Sequence, residues 1–292
     1  MTVRRLGLIA LALVAGSCSC SKRSHPVVEK ISVDAFEGTD VVSMTQAQLK
    51  ERLTARLEAS HFTLHEAGKP LPEGVSPWTI TLAAGLTEPE VDGEPVSTVE
   101  VLLQVRQKGT LESFELRTRR TTAPVGNDVE AIQSSAREAL DAALGQAVRE
   151  ARALIDLTAL KDEQVAQQLT SSDDAVKSAA VRLLARRHDA RALAPLLGRL
   201  ETDDLTQIRE TMGLLIELGN PDAVPALINA SRAKDNVVQR EIVFALGAIG
   251  GDEAEAYLDA VATGHDDPLV RASAEQALGE LKDRRSRQGA RK

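Results

Sequence analysis

Residues 238–250 read Val-Gln-Arg-Glu-Ile-Val-Phe-Ala-Leu-Gly-Ala-Ile-Gly, and this stretch decides the fold. Its apolar residues recur at helical spacing and share one face of an α-helix, namely Val238, Ile242, Ala245, Leu246 and Ile249. Asp235 precedes the stretch and suits the N-cap, where a carboxylate accepts hydrogen bonds from the free amides of the first turn. Gly250 suits the end of the helix, because glycine tolerates a left-handed backbone. The stretch therefore predicts one amphipathic helix with both ends marked.

The same pattern recurs along the C-terminal half of the chain. The capping positions are Asp173, Asp204, Asp235 and Asp267, at intervals of 31, 31 and 32 residues. A leucine follows each of them: Leu184, Leu215, Leu246 and Leu278. A second helix is marked by Ala192, Ala223 and Ala254, and then by Leu196, Leu227 and Leu258. Because one helix pair cannot bury its own apolar face, neighbouring copies must stack into a solenoid.

These repeats resemble a known family. Residues 270–279 (Val-Arg-Ala-Ser-Ala-Glu-Gln-Ala-Leu-Gly) are similar to the HEAT-like repeats named after phycobilisome lyases, and residues 238–250 nearly so. The first copy departs with Arg187 and His188, where Leu or Ile and then Gly are expected. The second copy has Gln207 in place of Val, unless the register slips by one to use Ile208.

The resemblance implies an α-helical HEAT-like solenoid of three to four repeats over residues 158–281, an architecture used for binding. We expect one concave face, formed by the second helices at residues 190–201, 222–233 and 252–263, to hold a protein partner whose identity the sequence does not give. HEAT-like deoxyhypusine hydroxylases hold iron through His-Glu pairs inside the repeats, but the only His-Glu here, His65-Glu66, lies outside them. Phycobilin lyases act inside cells, which conflicts with an export signal.

Residues 1–17 have the features of a secretory signal peptide. Arg4 and Arg5 precede an apolar run over residues 6–15, and Gly16 and Ser17 follow it. The run is too short to cross a bilayer, which needs about 20 residues. We therefore expect an exported protein.

The segment Val-Ala-Gly-Ser-Cys over residues 14–18 resembles a bacterial lipobox, in which the cysteine is lipidated and becomes the mature N-terminus. It departs at Ala15, where Leu is usual, and Cys20 is the alternative lipidation site. The other interpretation is an ordinary cleaved signal with two cysteines near the cut. The resemblance implies a bacterial envelope protein held to the membrane by a lipid, and Ser19 favours the outer membrane, facing the periplasm.

Residues 27–157 predict an α+β domain that follows a tether at residues 18–26. Ile31, Val33 and Ala35 alternate as one face of a strand, and Leu49, Leu53 and Leu57 form a helical stripe behind a capping box at Thr45. Further strands are expected at residues 62–64, 78–82, 99–105 and 113–122, and a long helix at residues 128–157. The order β-α-β-β-β-β-α predicts a mainly antiparallel sheet with helices on one face. No flexible linker separates this domain from the repeats, so the two should move as one body.

The sequence carries no recognised catalytic motif: no Gly-x-Ser-x-Gly, His-Glu-x-x-His, glycine-rich phosphate loop or Cys-x-x-Cys. His61 and His65 lie four residues apart, but no third metal ligand accompanies them. We expect a protein that is not an enzyme and has no cofactor or metal. The alternative is an enzyme site, or an apolar-ligand pocket lined by Trp78 and Val101, in the α+β domain.

The charge balance argues against nucleic acid as a partner. The formal net charge is −8, and it becomes more negative once Arg4 and Arg5 leave with the signal. The exception is a basic tail at residues 282–292, which predicts a solvated, disordered end. Contact of this tail with anionic lipid or polysaccharide is the alternative interpretation.

Overall fold

The computed structural model describes residues 25–37, 42, 44–66, 68–87, 90–91, 94–123, 128–202, 204–232 and 235–289. The predicted signal peptide, Cys18 and Cys20 lie outside the described residues. A sheet with two helices on one face forms the N-terminal part, and a row of helices follows it. None of the described helices is long and apolar enough to span a membrane.

The sheet has five strands in the order β2-β1-β3-β6-β7. These are β1 (Val27–Phe36), β2 (Thr63–Leu64), β3 (Trp78–Thr87), β6 (Ser97–Gln107) and β7 (Ser113–Thr122). Between β3 and β6 lies a two-stranded extension, β4 (Glu90–Val91) and β5 (Glu94–Pro95). Apart from this extension, the element order is the predicted one.

The sheet is mixed rather than mainly antiparallel. Strand β1 runs parallel to both β2 and β3, whereas the β3–β6 and β6–β7 pairs are antiparallel. Helix α1 (Gln46–Ala59) connects β1 to β2, and a helical crossover of this kind brings the next strand back in the same direction. The predicted strand direction was therefore wrong for β1.

Strand β1 also departs from the simple alternation that its sequence suggests. Ile31 pairs with Ile80 and Val33 with Leu82, but a register shift follows, and Ala35 then pairs with Ala83. Phe36, not Ala35, takes the next position on the helix-facing side, opposite Ala84. The prediction that Ile31, Val33 and Ala35 share one face is thus correct for Ile31 and Val33 and wrong for Ala35. The reason is that Asp34 is an extra residue in the pairing of β1 with β3.

Helices α1 and α2 (Val129–Thr158) cover one face of the sheet. Thr45 forms the predicted capping box of α1 with Gln48, and Asp128 caps α2. Leu49, Leu53 and Leu57 of α1 are fully buried. They join a core with Ile80, Leu82, Val101, Leu103, Leu116, Leu140 and Leu144. Helix α2 packs on β6, β7 and α4, with Ala143 hydrogen-bonded to Thr118 of β7 and Glu150 hydrogen-bonded to Arg182 of α4.

The repeats form three complete helix pairs and one further first helix. Short α3 (Asp162–Gln167) leads into the pairs α4 (Asp174–Arg186) with α5 (Leu193–Arg199), α6 (Leu205–Leu218) with α7 (Val224–Ser231), and α8 (Asn236–Ile249) with α9 (Asp252–Gly264). Helix α10 (Pro268–Gly289) follows. Each predicted aspartate caps its first helix through its carboxylate. The leucine and alanine columns are buried.

The two weaker copies reach the same geometry by different means. His188 adopts a positive φ of 56°, where the equivalent Gly219 has a φ of 65°. The His188 ring lies 3.3 Å from the carbonyl oxygen of Leu218, which fixes a conformation that glycine adopts more readily. In the second copy Ile208 is buried and Gln207 is exposed, so the register does slip by one.

The expectation of a disordered tail was wrong for residues 282–289, which continue α10. Arg284 donates to the carbonyl oxygens of Gly247 and Ala248, at the C-terminal end of α8. Arg285 pairs with Asp252 at 2.8 Å and with Glu255. Cations are stabilised near the carbonyls that end a helix, so the basic run has structural partners that periodicity alone does not reveal.

Candidate functional site

A buried charge network joins the N-terminal domain to the repeats. Arg182 of α4 donates through Nε to Glu150 of α2 at 3.2 Å, and also pairs with Glu210 of α6. Ser178 donates a further hydrogen bond to Glu150 at 3.2 Å. One guanidinium thus connects the helices α2, α4 and α6. The network is buried, since the side chain of Arg182 is only 13% exposed and that of Glu150 only 6%.

Burial and the two carboxylates act in opposite directions on Arg182. Burial disfavours its charged form, but Glu150 and Glu210 offset this, and the pKa of Arg182 is raised above its ordinary value. Among the described residues, Arg199 has no ion pair with a carboxylate, and burial lowers the pKa of Arg199. The network therefore holds one strongly stabilised cation at the junction.

The edge strand β7 lies along the first helices of the array. Arg186 of α4 donates to the carbonyl oxygen of Ser113, and its guanidinium carbon lies 5.1 Å from the centre of the Phe114 ring. Further along β7, Arg119 donates to the Thr206 hydroxyl at 3.0 Å. The sheet and the repeats thus form one continuous surface on this side.

An apolar groove of about 410 Å³ opens on this side, between α6 and α8. Its apolar lining is Met212, Gly213, Ile216, Val237, Phe244 and Ala245, and Arg209, Arg240 and Glu241 complete it. Phe244 is 61% exposed and Val237 49% exposed. Apolar side chains that are exposed singly need no explanation, but an aromatic one beside an apolar groove is typical of a binding surface. We define these nine residues as the α6–α8 groove.

The first helices contact one another differently along the array. Between α8 and α10 the helices touch, since a Cβ placed on Gly247 would lie 2.8 Å from the Cβ of Ala277. Between α4 and α6 the Arg182–Glu210 ion pair links the two helices, and both residues line a polar pocket with Thr206 and Arg209. Between α6 and α8 lies Gly213, where an added Cβ would meet no atom within 4 Å.

The charged side chains of the groove differ in whether they have an ion-pair partner. Arg209 of α6 binds both carboxylate oxygens of Glu241 on α8, through Nε at 3.1 and 2.8 Å, and the bond raises the pKa of Arg209. Arg240 is half-buried and has no hydrogen bond or ion pair with any residue that the structure describes. The groove therefore presents an apolar floor with an uncompensated cation beside it.

This groove is not on the helices that the sequence suggested. We expected the second helices to bind the partner, but the large exposed apolar side chains in the described part of the repeats are Leu205, Val237, Phe244 and Leu269, all on first helices. Phe244 carried a sequence signal that could have found it. The equivalent positions of the other copies hold Arg182, Gly213 and Gln276, so an aromatic residue in this polar column is out of place.

The other candidate residues do not assemble into a site. His61 lies just past α1 with a φ of 60°, and its ring centre is 5.7 Å from that of His25. Among the described residues, no group of three or more His, Cys, Asp or Glu side chains is arranged to hold a metal. Trp78 and Val101 are buried in the sheet–helix core, where Trp78 stacks on Phe114, rather than lining a cleft.

Comparison with protein families gives a match to HEAT repeats at residues 208–279, from the first turns of α6 into α10. The chain contains a HEAT-repeat domain. The matched part of that domain includes all nine residues of the α6–α8 groove, and it leaves out α4 and α5, the pair that departs most from the repeat pattern.

Other comparisons add little. A search of curated proteins found no match. A crystal structure of an uncharacterized protein is 15% identical and has a TM-score of 0.30, over 44% of this chain and 92% of that one. A hypothetical protein from Chlamydia trachomatis is 14% identical with a TM-score of 0.29, over 44% of this chain and 96% of that one. These scores are too low to support any argument about fold or function.

Proposed function

We propose that this protein is a non-catalytic lipoprotein of the cell envelope that binds a protein partner through its HEAT-repeat domain, as an adaptor, scaffold or assembly factor. HEAT repeats are generally protein-interaction modules. The observation that carries the proposal is the α6–α8 groove, in which Phe244 is 61% exposed and Val237 of the same helix is 49% exposed. The likeness to repeats of the phycobilisome-lyase type concerns architecture only, and we do not extend it to pigment attachment.

The groove fits a protein partner better than it fits a small molecule. It lies open between two helices, and the charged surface formed by β6, β7 and α6 adjoins it through Arg209. A small ligand usually requires a cleft that buries most of its surface, whereas a protein can cover an open groove and its polar surroundings together. An exposed aromatic side chain with a polar rim is the usual centre of such an interface.

The lipid anchor is part of the same proposal. Cys18 precedes Val27, where β1 begins, by nine residues, which can span at most about 30 Å when extended. The start of β1 lies at the same end of the sheet as the β6–β7 hairpin, because Val28 pairs with Trp78 and Trp78 pairs with Gln107. We therefore propose that the lipid inserts in the outer membrane and that the protein faces the periplasm. This end of the sheet would then be held close to the membrane surface.

Replacing Cys18 by serine is expected to abolish incorporation of a labelled fatty acid when the protein is expressed in bacteria, because the lipobox cysteine is the acceptor. Gel fluorescence after labelling with an alkyne palmitate measures this. The matched control is Cys20→Ser, which should keep the label. If the label instead survives in Cys18→Ser and is lost in Cys20→Ser, the anchor lies at Cys20. Label that persists in the double variant would contradict both cysteines as the acceptor, and absence of label in the wild type would contradict lipidation.

Placing a photoreactive phenylalanine analogue at position 244 is expected to cross-link the full chain to a partner in intact cells. Irradiation should give a discrete higher-mass product, identified by mass spectrometry. The matched control is the same analogue at position 269, because Leu269 is also 60% exposed on a first helix but lies outside the α6–α8 groove. Equal products from both positions, or none from position 244, would contradict binding through the groove.

A further inference from the structure

We propose that the segment of the partner that enters the α6–α8 groove is acidic, with a large apolar side chain against Phe244 and a carboxylate on Arg240. This inference rests on the proposed function and assigns a chemical class to its partner. It excludes a basic segment, which the overall negative charge of the chain taken alone would favour.

The first step concerns Arg240. It lies half-buried on α8, lines the groove, and has no carboxylate within reach among the described residues. The one carboxylate that lines the groove, Glu241, is already bound through both oxygens by Arg209. A guanidinium that has lost part of its hydration without gaining a counter-ion binds a carboxylate favourably, and its planar shape suits two parallel hydrogen bonds.

The second step concerns the surface that continues from the groove towards β7. Its carboxylates are Glu100, Glu115 and Glu210. Each already has an arginine partner: Arg117 lies 2.5 Å from Glu100 and 3.8 Å from Glu115, and Arg182 pairs with Glu210. Each of these carboxylates thus has an arginine within 4 Å, with Arg117 shared between Glu100 and Glu115, and Arg182 between Glu210 and Glu150.

The cations of the same surface are not all neutralised. Arg119 of β7 is exposed, and its side chain donates a hydrogen bond to the neutral hydroxyl of Thr206. Arg119 and Arg240 are thus two cations that have no ion pair with any carboxylate among the described residues, whereas each carboxylate of this surface has an arginine within 4 Å. Charge complementarity at an interface selects the partner of opposite sign and disfavours the like charge.

The third step concerns shape. Gly213 leaves open space at the groove, and Met212, Ile216 and Ala245 surround it with apolar atoms. A leucine or aromatic side chain from the partner would bury Phe244 there and remove apolar surface from water. The inferred partner segment thus combines one or two large apolar residues with neighbouring Asp or Glu residues.

Selection from a random twelve-residue peptide display library tests the inference. The bait is the purified full chain in detergent, as wild type, Arg240→Glu, Phe244→Asp and Leu269→Asp, each checked for an unchanged thermal unfolding curve. Peptides enriched on the wild type and on Leu269→Asp are expected to carry net negative charge and a Leu, Phe or Trp. Arg240→Glu should shift the enriched pool towards basic peptides, and Phe244→Asp should remove the enrichment.

The affinities of the selected peptides give a second, quantitative test of the inference. An acidic peptide selected on the wild type should bind Arg240→Glu about tenfold more weakly by fluorescence anisotropy, as expected for loss of a charge-assisted pair. Enrichment of neutral or basic peptides on the wild type, no enrichment at all, or equal affinity for Arg240→Glu would overturn the inference. If position 244 still cross-links to a partner in cells, the proposed function would survive that failure.

Discussion

Replacing Glu150 by alanine is expected to lower the free energy of unfolding by about 3 kcal/mol, the lower end of the range for removing one member of a buried ion pair. The loss arises because Arg182, whose side chain is only 13% exposed, keeps its charge when Glu150 is gone. Glu210 remains as a second carboxylate, which is why we expect the lower end. Urea denaturation followed by circular dichroism measures the change.

The matched control for Glu150 is Glu241→Ala, which also removes the carboxylate of an Arg–Glu pair between successive first helices. The side chains of Arg209 and Glu241 are 49% and 33% exposed, so water replaces the lost partner. We expect a loss of about 0.5 kcal/mol there. Similar losses in the two variants would mean that the charge network at the junction is not buried as described.

Replacing Phe244 by aspartate is expected to weaken partner binding by roughly thirtyfold or more, because truncation of an aromatic residue at the centre of an interface commonly removes about 2 kcal/mol or more. The fold should tolerate the change, since the side chain is already 61% exposed. Quantitative co-purification of the partner, identified first by cross-linking, measures the effect.

Two substitutions at Gly213 test whether a side chain of the partner occupies the groove at this point. Gly213→Ala adds a methyl group into open space and should leave binding unchanged. Gly213→Gln introduces the residue that stands at the equivalent position of α10, Gln276, and should weaken binding by filling the groove. Equal binding by Gly213→Gln and Gly213→Ala would argue against a partner side chain at this point.

The repeat register could be predicted from the sequence because its signals are local and recur. Asp235 caps the helix that begins at the next residue, and Leu246 and Leu258 are buried within the same repeat. The slip from Gln207 to Ile208 could be proposed for the same reason. Patterns that depend on neighbours in sequence were therefore reliable guides to the solenoid.

Features that depend on distant contacts were not predictable in this way. The direction of β1 is set by pairing with β2 and β3, and its alternation fails at a register shift after Val33. The basic run after Leu281 continues α10, and its Arg284 and Arg285 reach α8 and α9. The sequence of a charged run does not by itself show which distant residues it contacts.

The candidate site was missed for a related reason. Whether Phe244 lies in a groove depends on its neighbours on the adjacent first helix, which here are Met212, Gly213 and Ile216 of α6. The sequence predicted a binding architecture, and its expectation of the second helices followed from the usual use of such arrays. The packing of α6, α8 and α10 is what places the groove on the first helices.

The most direct test of binding through the α6–α8 groove compares partner capture by the wild type, Phe244→Asp and Leu269→Asp after cross-linking in intact cells. Both variants introduce an aspartate at an exposed apolar position of a first helix, and only Phe244 lies in the groove. We predict that Leu269→Asp captures the partner as the wild type does and that Phe244→Asp does not. Undiminished capture by a folded Phe244→Asp variant would contradict the account.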